Sequence, residues 1–390
     1  VYTLRQNPSK PGEWWKTGSA GGSNSGSCGP NSSADPGNAN NTSGAGNARK
    51  STRAGTALSA LAPADPATYE EAINRPDAEQ WRRSMDDEIA SIEANNTWER
   101  VELPEGSKAI DCKWVFKTKL LSSGEIERFK ARLVAKGFQQ VEGIDYNEVF
   151  APTSKHATLR ALLSTVCALD LELHQLDVKT AFLNGDLDET IYMKQPPGYQ
   201  EGGSRTVLLL RKALYGLRQA PRAWHNRLKT ELENLGFSSS EADPGLFILR
   251  DGNNIIYVLV YVDDLLLAGP DAAAIEEVKG HLKKIFDIHD IGDAGTFIGL
   301  DIARDRAAGI LKLSQRRMIA ELVQKHGLAD AKVKSTPLSL GAKLTKQGEP
   351  LDRLRFGYAE LVGSLLYLSV CTRPDIAQAV GALSRYMSCP

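Results

Sequence analysis

The sequence lacks the features that define several large classes of protein. It carries 47 Lys and Arg against 48 Asp and Glu in 390 residues, so no overall basicity points to a nucleic-acid partner. The five cysteines are scattered without a CxxC spacing, which argues against zinc and a disulfide framework and fits a reduced compartment. No apolar run could span a membrane, no signal-peptide core is present, and no internal repeat is visible.

The N-terminal segment is poor in large apolar residues. Residues 16–55 are mostly Gly, Ser, Asn and Ala, and such a stretch cannot bury enough surface to offset its ordering entropy. We therefore predict a disordered, low-complexity linker over residues 1–66, with order beginning near Thr68. The chain starts at Val1 and stops within a helical pattern, which suggests a piece of a longer polypeptide.

The most informative stretch places two aspartates between two apolar runs. Residues 255–262 and 265–269 read as buried strands, so Asp263 and Asp264 lie at the bend of a hairpin. Asp-Asp is a poor tight-turn pair, and adjacent carboxylates near an apolar core are costly unless a cation neutralises them. Mg²⁺ prefers carboxylate oxygens, so the pattern indicates a metal site. A solvent-exposed acidic turn is the alternative.

A further aspartate, Asp177, lies near the end of another strand pattern, residues 171–178, and a polar loop containing Gly185 follows it. Two strands that bring acids to one edge of a sheet can hold two divalent ions about 3.5–4 Å apart, as two-metal phosphoryl chemistry requires. A lone acid at a strand end is the alternative for Asp177.

A basic block occupies residues 108–136. It contains six Lys and two Arg against one Asp and two Glu, a local excess of five positive charges. Cations alternate with apolar residues on both sides of residues 122–124, which predicts a hairpin with one basic face. That face is either an ordinary solvated surface or a surface that contacts phosphates.

Helical spacing of apolar residues predicts most of the remaining elements. We expect helices over residues 77–94, 158–169, 221–235, 272–286, 317–326, 358–370 and 374–387. Further strands are expected over residues 246–249, 297–303 and 309–313. The order around the acids resembles a split βαβ arrangement, in which helices back one antiparallel sheet, and the predicted fold class is α+β.

Six strings, met in this order from about Thr68 onward, resemble the reverse transcriptase of copia-type LTR retrotransposons. They are KWVFK (113–117), KARLVAKGF (130–138), IDY with FAP (144–146 and 150–152), QLDVKTAFLNG (175–185), LYGLRQAPRAW (214–224) and YVDD (261–264). The resemblance is specific because all six occur together and in register.

The resemblance implies a catalytic metal site. Asp177, Asp263 and Asp264 would be the catalytic acids, and together with Val178 they would bind two ions of Mg²⁺, or Mn²⁺ as the alternative. Asp177 and Asp263 would contribute most directly, and Asp264 less so.

The resemblance also implies a nucleotide site. Arg132 would grip the incoming triphosphate, with Lys119 as a weaker match for a similar task. Phe182 would crowd a ribose 2′-OH, although a core aromatic is an alternative that is compatible with this role. Gln219 would pack on the incoming nucleotide and template. Four residues match the primer grip loosely, with core packing as the alternative: Phe297, Ile298, Gly299 and Leu300.

A right-hand polymerase architecture of fingers, palm and thumb, with the split βαβ sheet as palm, is implied as well. The expected divisions are a linker (1–66), an N-terminal helix and fingers (67–170), a palm (171–305, with part of the fingers around 195–222), a thumb (306–355) and the truncated start of a connection region (356–390).

The function implied is RNA-directed DNA synthesis, in which dNTPs extend a primer on an RNA or DNA template. Protease, integrase and ribonuclease H would be partners in the full Pol polyprotein, no membrane is involved, and ribonuclease H is expected to be missing here. The location implied is intracellular, in cytoplasmic virus-like particles with a nuclear stage. One alternative is a catalytically inactive remnant that only binds nucleic acid. Another two-metal enzyme, such as a nuclease, would leave Phe182, Arg132 and Gln219 without a purpose.

Overall fold

The computed structural model describes residues 2–5, 64–120, 125–252, 254–339, 341, 344–345, 349, 351–352, 357–388 and 390. Its described residues form a mixed α+β fold, as predicted, with several antiparallel sheets and eight α-helices. The helices are α1 (Tyr69–Ile73), α2 (Ala78–Ala94), α3 (His156–Leu169), α4 (Ala220–Asn234), α5 (Ala272–Ile285), α6 (Arg316–Lys325), α7 (Tyr358–Cys371) and α8 (Ala377–Ser384). Every one of these helices falls short of the length or the apolarity that a bilayer crossing requires.

Sixteen strands accompany the helices within the described residues. They are β1 (Tyr2–Arg5), β2 (Trp98–Glu102), β3 (Ala109–Ile110), β4 (Cys112–Leu120), β5 (Ile126–Ala135), β6 (Glu172–Val178), β7 (Asp186–Met193), β8 (Thr206–Lys212), β9 (Ser238–Ser239), β10 (Leu246–Asp251), β11 (Asn254–Tyr261), β12 (Asp264–Gly269), β13 (Ile288–Asp293), β14 (Thr296–Phe297), β15 (Leu300–Asp305) and β16 (Ile310–Ser314).

The largest sheet carries the acidic residues. Its six strands lie in the order β13-β6-β12-β11-β10-β9, and each neighbouring pair is antiparallel. Strands β6 and β11 therefore run in the same direction on either side of β12, with α4 in the connection between them. This is the split βαβ topology that the sequence predicts.

Both faces of this sheet are buried, which explains why β11 and β12 are apolar along nearly their whole length. On one face, Leu176 and Leu265 pack against α4 and α5 through Trp224 and Leu282. On the other face, apolar side chains of the sheet pack against α3, the β15–β16 hairpin and α7. A sheet covered on both faces needs near-continuous apolar strands instead of strict alternation.

A second core lies beside the sheet and is built around α2. The side chains of Trp81, Met85 and Ile89 recur at helical spacing and are buried. The Trp81 ring meets the rings of Phe116 on β4 and Phe129 on β5 edge-on, at centroid distances of 5.2 and 4.7 Å. Helix α2 thus holds the β4–β5 hairpin through large aromatic contacts.

Two further sheets complete the fold. Strands β2, β8, β7 and β3 form one sheet, which contributes to the core around α2. Strands β1, β16, β15 and β14 form the other. Four residues of the segment predicted to be disordered, Tyr2–Arg5, instead form the strand that pairs with β16, because their backbone groups complete its open edge. Residues 1 and 6–63, the rest of that prediction, lie outside the described residues.

Most predicted elements are confirmed within a few residues. Helices α2 to α7 match, and Gly236 follows α4 with a φ of +88°, as expected of a glycine after a helix. The helix predicted over residues 374–387 is shorter: a 3₁₀ turn over Pro374–Ile376 precedes α8, which ends at Ser384. The predicted turn at residues 122–124 includes only residues outside the described ones.

The turn that joins β11 to β12 is strained. It consists of Val262 and Asp263, so Asp264 is already the first residue of β12 and pairs with Tyr261. Val262 has a φ of +58°, a left-handed conformation that is rare for a β-branched residue. Trp224 of α4 donates its indole N–H to the Val262 carbonyl oxygen at 2.7 Å, which helps to hold the turn in place.

We predict that Val262→Asn stabilises the protein, because asparagine tolerates a positive φ far better than valine. The expected gain is about 1 kcal/mol in the free energy of unfolding, measured by denaturant titration. Val115→Asn is the control, since Val115 lies exposed on β4 without a positive φ, and this change should be slightly destabilising. Destabilisation by both changes would show that strain at Val262 is negligible.

Candidate active site

Three acidic residues lie at the same end of neighbouring strands in the six-stranded sheet. Asp264 on β12 lies directly opposite Asp177 on β6, and such antiparallel partners have Cα atoms about 4.5–5.5 Å apart. The N–H of Val178 donates a hydrogen bond of 2.8 Å to the backbone carbonyl of Asp263. The structure therefore brings together the three acids and Val178 that the sequence analysis selected.

The chemical environment of Asp264 is costly for a charge. Gln175 donates its side-chain N–H to the Oδ1 atom of Asp264 at 3.2 Å. Burial raises the pKa of Asp264, the hydrogen bond from Gln175 opposes the rise, and the charges of Asp263 and Asp177 add to it, so that the pKa lies above its ordinary value of 3.8. A cation between these acids would remove much of this cost.

The acids form one wall of a cavity of about 660 Å³, a volume typical of small-molecule sites. Asp177, Val178 and Asp263 contribute to this wall. The basic hairpin lines the same cavity through Arg128, Lys130 and Arg132 of β5. Acids and cations thus face a shared space.

The hairpin has one basic face, as predicted. Cross-strand neighbours share a face of the hairpin, and Lys117 pairs with Lys130 while Lys119 pairs with Arg128. Burial, with repulsion from Arg132 and Arg128, lowers the pKa of Lys130. Like charges gathered in this way favour an anion in the cavity.

Helix α2 fixes the edge of β5 that carries these cations. The hydroxyl of Ser84 accepts a hydrogen bond of 2.6 Å from the N–H of Ala131, and Oε1 of Glu88 accepts one of 3.2 Å from the N–H of Leu133. Ser84 and Glu88 also line the cavity. Burial raises the pKa of Glu88, although the hydrogen bond from Leu133 and the charges of Arg132 and Lys130 oppose that rise.

Two glycines let the hairpin approach the loop before α4. A Cβ atom on Gly137 would stand 2.0 Å from the carbonyl oxygen of Gly216, and one on Gly216 would stand 2.1 Å from that of Ala135. Gly216 also has a φ of +93°. The N–H of Ala135 donates a 2.7 Å hydrogen bond to the carbonyl of Tyr215 at this crossing.

The cavity contains an aromatic residue that the sequence analysis did not select. Tyr215 lines the cavity between the acids and the cations. The guanidinium carbon of Arg132 lies over its ring, 4.6 Å from the centroid. The ring of Phe182 meets Tyr215 edge-on at 4.9 Å, and Phe182 is partly buried against both neighbouring cores.

The structure does not bring Gln219 to this cavity. Its side chain is 4% exposed, accepts a hydrogen bond from Gln140, and donates to the Asp145 carbonyl and to Glu189. It lines a separate cavity of about 250 Å³ beside α4. Its amide is engaged in internal hydrogen bonds, which is why it does not face the acids.

The remaining predicted residues lie away from the acids. Lys119 is exposed near the tip of the β4–β5 hairpin and does not line the cavity. Ile298 and Gly299 form the turn between β14 and β15, with φ values of +44° and +75°. Phe297 and Leu300 are buried in the core, which supports core packing for these two.

Local patterns gave little indication of several cavity residues. His289 pairs with Asp177 across β13 and β6 and lines the cavity, yet β13 was not predicted. Ser84, Asp87 and Glu88 read only as polar positions of an amphipathic helix. Tyr215 falls within LYGLRQAPRAW (214–224), but its place in the cavity depends on a contact with Arg132, which is distant in sequence.

The donor set of the acidic edge fits a hard divalent cation in part. Its side chains offer oxygen ligands, which Mg²⁺ and Mn²⁺ prefer. Among the described residues, however, no three Asp, Glu, His or Cys side chains stand close enough together to hold a metal ion by themselves. Water and substrate phosphates commonly supply the other ligands of Mg²⁺, so a partial protein set is compatible with binding.

Carboxylates and cations that line one cavity are the two kinds of side chain that phosphoryl-transfer sites combine. Comparison with known families gives a sharper result. Residues 95–340 match the reverse transcriptase (RNA-dependent DNA polymerase) family, and the chain belongs to this family.

Similar proteins come from plant and yeast transposons. A retrovirus-related Pol polyprotein from transposon TNT 1-94 of Nicotiana tabacum is 42% identical over 334 residues, covering 84% of this chain and 25% of that protein. The corresponding polyprotein from transposon RE1 of Arabidopsis thaliana is 40% identical over 341 residues, covering 86% of this chain and 22% of that protein. The putative transposon Ty5-1 protein of Saccharomyces cerevisiae is 36% identical over 216 residues, covering 55% of this chain and 70% of that protein.

These matches confirm the resemblance drawn from the sequence strings. The chain spans about a quarter of the length of the two plant polyproteins.

We predict that Asp264→Asn stabilises the metal-free protein at neutral pH. Asparagine keeps the oxygen that accepts the hydrogen bond from Gln175 but has no charge to desolvate. Because the pKa of Asp264 is raised on folding, the wild type loses stability as pH rises above 3.8. The gap in free energy of unfolding between variant and wild type therefore widens with pH and becomes constant above the raised pKa. The expected gap at pH 7 is on the order of 1 kcal/mol, measured by denaturant titration in EDTA.

Addition of Mg²⁺ should narrow this gap, because the ion would neutralise the wild-type carboxylates. Asp251→Asn is the matched control, since Asp251 is exposed at the far end of the same sheet. A variant no more stable than wild type across the pH range would contradict the proposed cost of the Asp264 charge.

Proposed function

We propose that the chain is an RNA-directed DNA polymerase that adds deoxynucleotides to a primer 3′-hydroxyl by two-metal nucleotidyl transfer. One observation carries the proposal: a single cavity joins the acidic edge, with Asp177 and Asp263, to the cations of β5. A nucleoside triphosphate bound with divalent ions needs carboxylates for the ions and cations for the phosphates. Membership of the reverse transcriptase family supports the same conclusion.

The acidic edge would hold the metal ions. Asp177 and Asp263 reach the cavity, the backbone of Val178 lies beside them, and Asp264 completes the group from the next strand. Two bound Mg²⁺ or Mn²⁺ ions would stabilise the charge on the attacking and leaving oxygens. The protein's contribution is to fix these oxygens on neighbouring strands of a sheet that is packed on both faces.

The basic hairpin would bind the triphosphate. Arg132 is the best placed residue because its planar guanidinium can donate two parallel hydrogen bonds to phosphate oxygens. Lys130 and Arg128 line the same wall and would add positive potential. Lys119 is placed to act only near the hairpin tip, so a contact with the triphosphate would require the hairpin to move.

The sugar would be selected by Phe182, which packs on Tyr215, the ring that lines the cavity. Phe182 follows Asp177 by five residues in a 3₁₀ turn, Ala181–Asn184, and its ring packs on Tyr215. A ring at this position would leave too little room for a ribose 2′-OH. Gln219 would order the neighbouring loop through its internal hydrogen bonds rather than contact the nucleotide directly.

The proposed function implies a role for each part of the fold. The six-stranded sheet with α4 and α5 would be the palm, and the β4–β5 hairpin with α2 would be the fingers. The β14–β15 turn would guide the primer, and the region from residue 306 to 355 would be the thumb. Template and primer would be bound through backbone contacts and duplex shape. Within an element, the chain would act beside the other parts of a Pol polyprotein.

We predict that Asp263→Asn abolishes primer extension but leaves primer–template binding intact. A carboxylate ligand is lost from the acidic edge, whereas the basic hairpin is unchanged. Extension of oligo(dT) on poly(rA) with dTTP and Mg²⁺ or Mn²⁺ should fall by at least about 100-fold. The dissociation constant for primer–template, measured by fluorescence anisotropy, should change less than about twofold.

Asp251→Asn is again the matched control and should extend primers at the wild-type rate. Extension by Asp263→Asn at that rate would overturn the metal assignment. Folded wild-type protein that binds primer–template but extends nothing would favour an inactive remnant that only binds nucleic acid.

We also predict that Phe182→Ala admits ribonucleotides. Removal of the ring opens space at the sugar, so the ratio of kcat/KM for dTTP to that for UTP should fall by at least about tenfold. Steady-state primer extension with each nucleotide measures this ratio. An unchanged ratio would leave Phe182 as a core aromatic.

A further inference from the structure

We propose that Tyr215 is a positioning residue that couples the triphosphate-binding arginine to the sugar-selecting aromatic. The inference rests on the proposed function and goes beyond it, because it makes sugar choice and phosphate binding depend on one ring. Tyr215 lines the cavity between the acidic edge and the basic hairpin.

A single ring makes both contacts. The Arg132 guanidinium lies over its face at 4.6 Å, within the distance of a cation–π interaction. The Phe182 ring meets it edge-on at 4.9 Å, a favoured aromatic geometry. Movement of the Tyr215 ring would therefore disturb the residue at the phosphates and the residue at the sugar together.

The Tyr215 ring attracts Arg132 without accepting a conventional hydrogen bond from it. All five N–H groups of a guanidinium lie in its plane, so a ring that lies against this plane leaves them open. Among the described residues, no hydrogen bond or ion pair to the Arg132 side chain is found, so these donors are free to meet a phosphate. The ring thus restricts Arg132 before the nucleotide arrives, which lowers the entropy cost of binding.

The backbone fixes Tyr215 relative to the strand that carries Arg132. The N–H of Ala135 donates a 2.7 Å hydrogen bond to the Tyr215 carbonyl, three residues after Arg132 on the same strand. The two segments also cross closely at Gly137 and Gly216, where a Cβ atom on either residue would overlap a backbone oxygen of the other segment. The backbone that carries the Tyr215 ring is therefore held against the strand that carries Arg132.

The hydroxyl of Tyr215 is not required by this role. Burial raises the pKa of Tyr215, the charge of Arg132 opposes the rise, and the charges of Asp263, Glu88 and Asp177 add to it. The ring therefore stays neutral at physiological pH, and a phenyl ring would offer the same face and edge. This makes Tyr215→Phe the conservative variant and Tyr215→Leu the disruptive one.

The test compares these variants in steady-state primer extension with dTTP and UTP. Tyr215→Leu should raise the KM for dTTP by about 3- to 30-fold, in proportion to a lost cation–π contact, with a smaller change in kcat. It should also lower the preference for dTTP over UTP. Tyr215→Phe should match wild type in both respects. If Tyr215→Phe were as impaired as Tyr215→Leu, the hydroxyl would be responsible and the proposal would be wrong.

A double-mutant cycle separates coupling from general damage. If Tyr215 acts through Arg132, the variant Tyr215→Leu with Arg132→Ala should have a KM for dTTP no higher than Arg132→Ala alone. If the two substitutions raised the KM for dTTP by factors that multiply in the double variant, the residues would act independently and the coupling would be overturned. Tyr146→Leu is the matched control, because Arg218 likewise lies over the Tyr146 ring, at 5.5 Å, away from the cavity. This control should keep the wild-type preference between dTTP and UTP.

Nucleotide binding distinguishes failure of this inference from failure of the proposed function. Calorimetry with a chain-terminated primer on poly(rA), Mg²⁺, and either dTTP or UTP needs no catalysis. If wild type extends nothing yet prefers dTTP, and Tyr215→Leu loses that preference, the coupling stands while the polymerase proposal falls. If Tyr215→Leu binds both nucleotides as wild type does, the coupling is refuted. Wild type that binds neither nucleotide refutes both.

Discussion

The pairing of β6 with β12 imposes the central constraint on this protein. It sets Asp177 opposite Asp264, with Asp263 in the adjoining turn, at the edge of a sheet whose two faces are both covered by apolar side chains. Carboxylates in such a place repel one another and are poorly solvated, as the raised pKa of Asp264 shows. The neighbouring structure supplies positive charge locally, on one hairpin, which is why a chain with a net charge of −1 still gathers three cations of β5 at its cavity.

That hairpin depends on other elements for its position. A two-stranded sheet is marginally stable alone, so β4 and β5 need the aromatic contacts of Trp81 and the hydrogen bonds that the backbone of β5 donates to Ser84 and Glu88. Helix α2 precedes residues 95–340, the part that matches the reverse transcriptase family. Since α2 both supports the hairpin and lines the cavity, it is a structural component of the site.

Local sequence patterns predicted the elements whose apolar spacing is regular, and with them the acidic hairpin and the split βαβ sheet. Strands β2, β7 and β8 were missed because their burial depends on pairing with distant partners, and β7 carries acidic side chains along its first half. The position of a residue was predictable where it depends on local sequence, as for Asp263 and Asp264 at the end of the acidic hairpin. It was not predictable where a side chain turns inward, as Gln219 does, because internal partners such as Gln140 and Glu189 are set by tertiary packing.

The choice of an aromatic ring beside Arg132 has a physical rationale. A carboxylate partner would occupy the guanidinium donors and would have to be displaced, at a cost, when a triphosphate binds. With no partner, the long side chain would sample many rotamers and lose that freedom on binding. The Tyr215 ring attracts the guanidinium through its face and leaves the donors open, so Arg132 is held but not neutralised. Arg132 makes no ion pair within the described residues, so its positive charge stays available to the cavity that it lines.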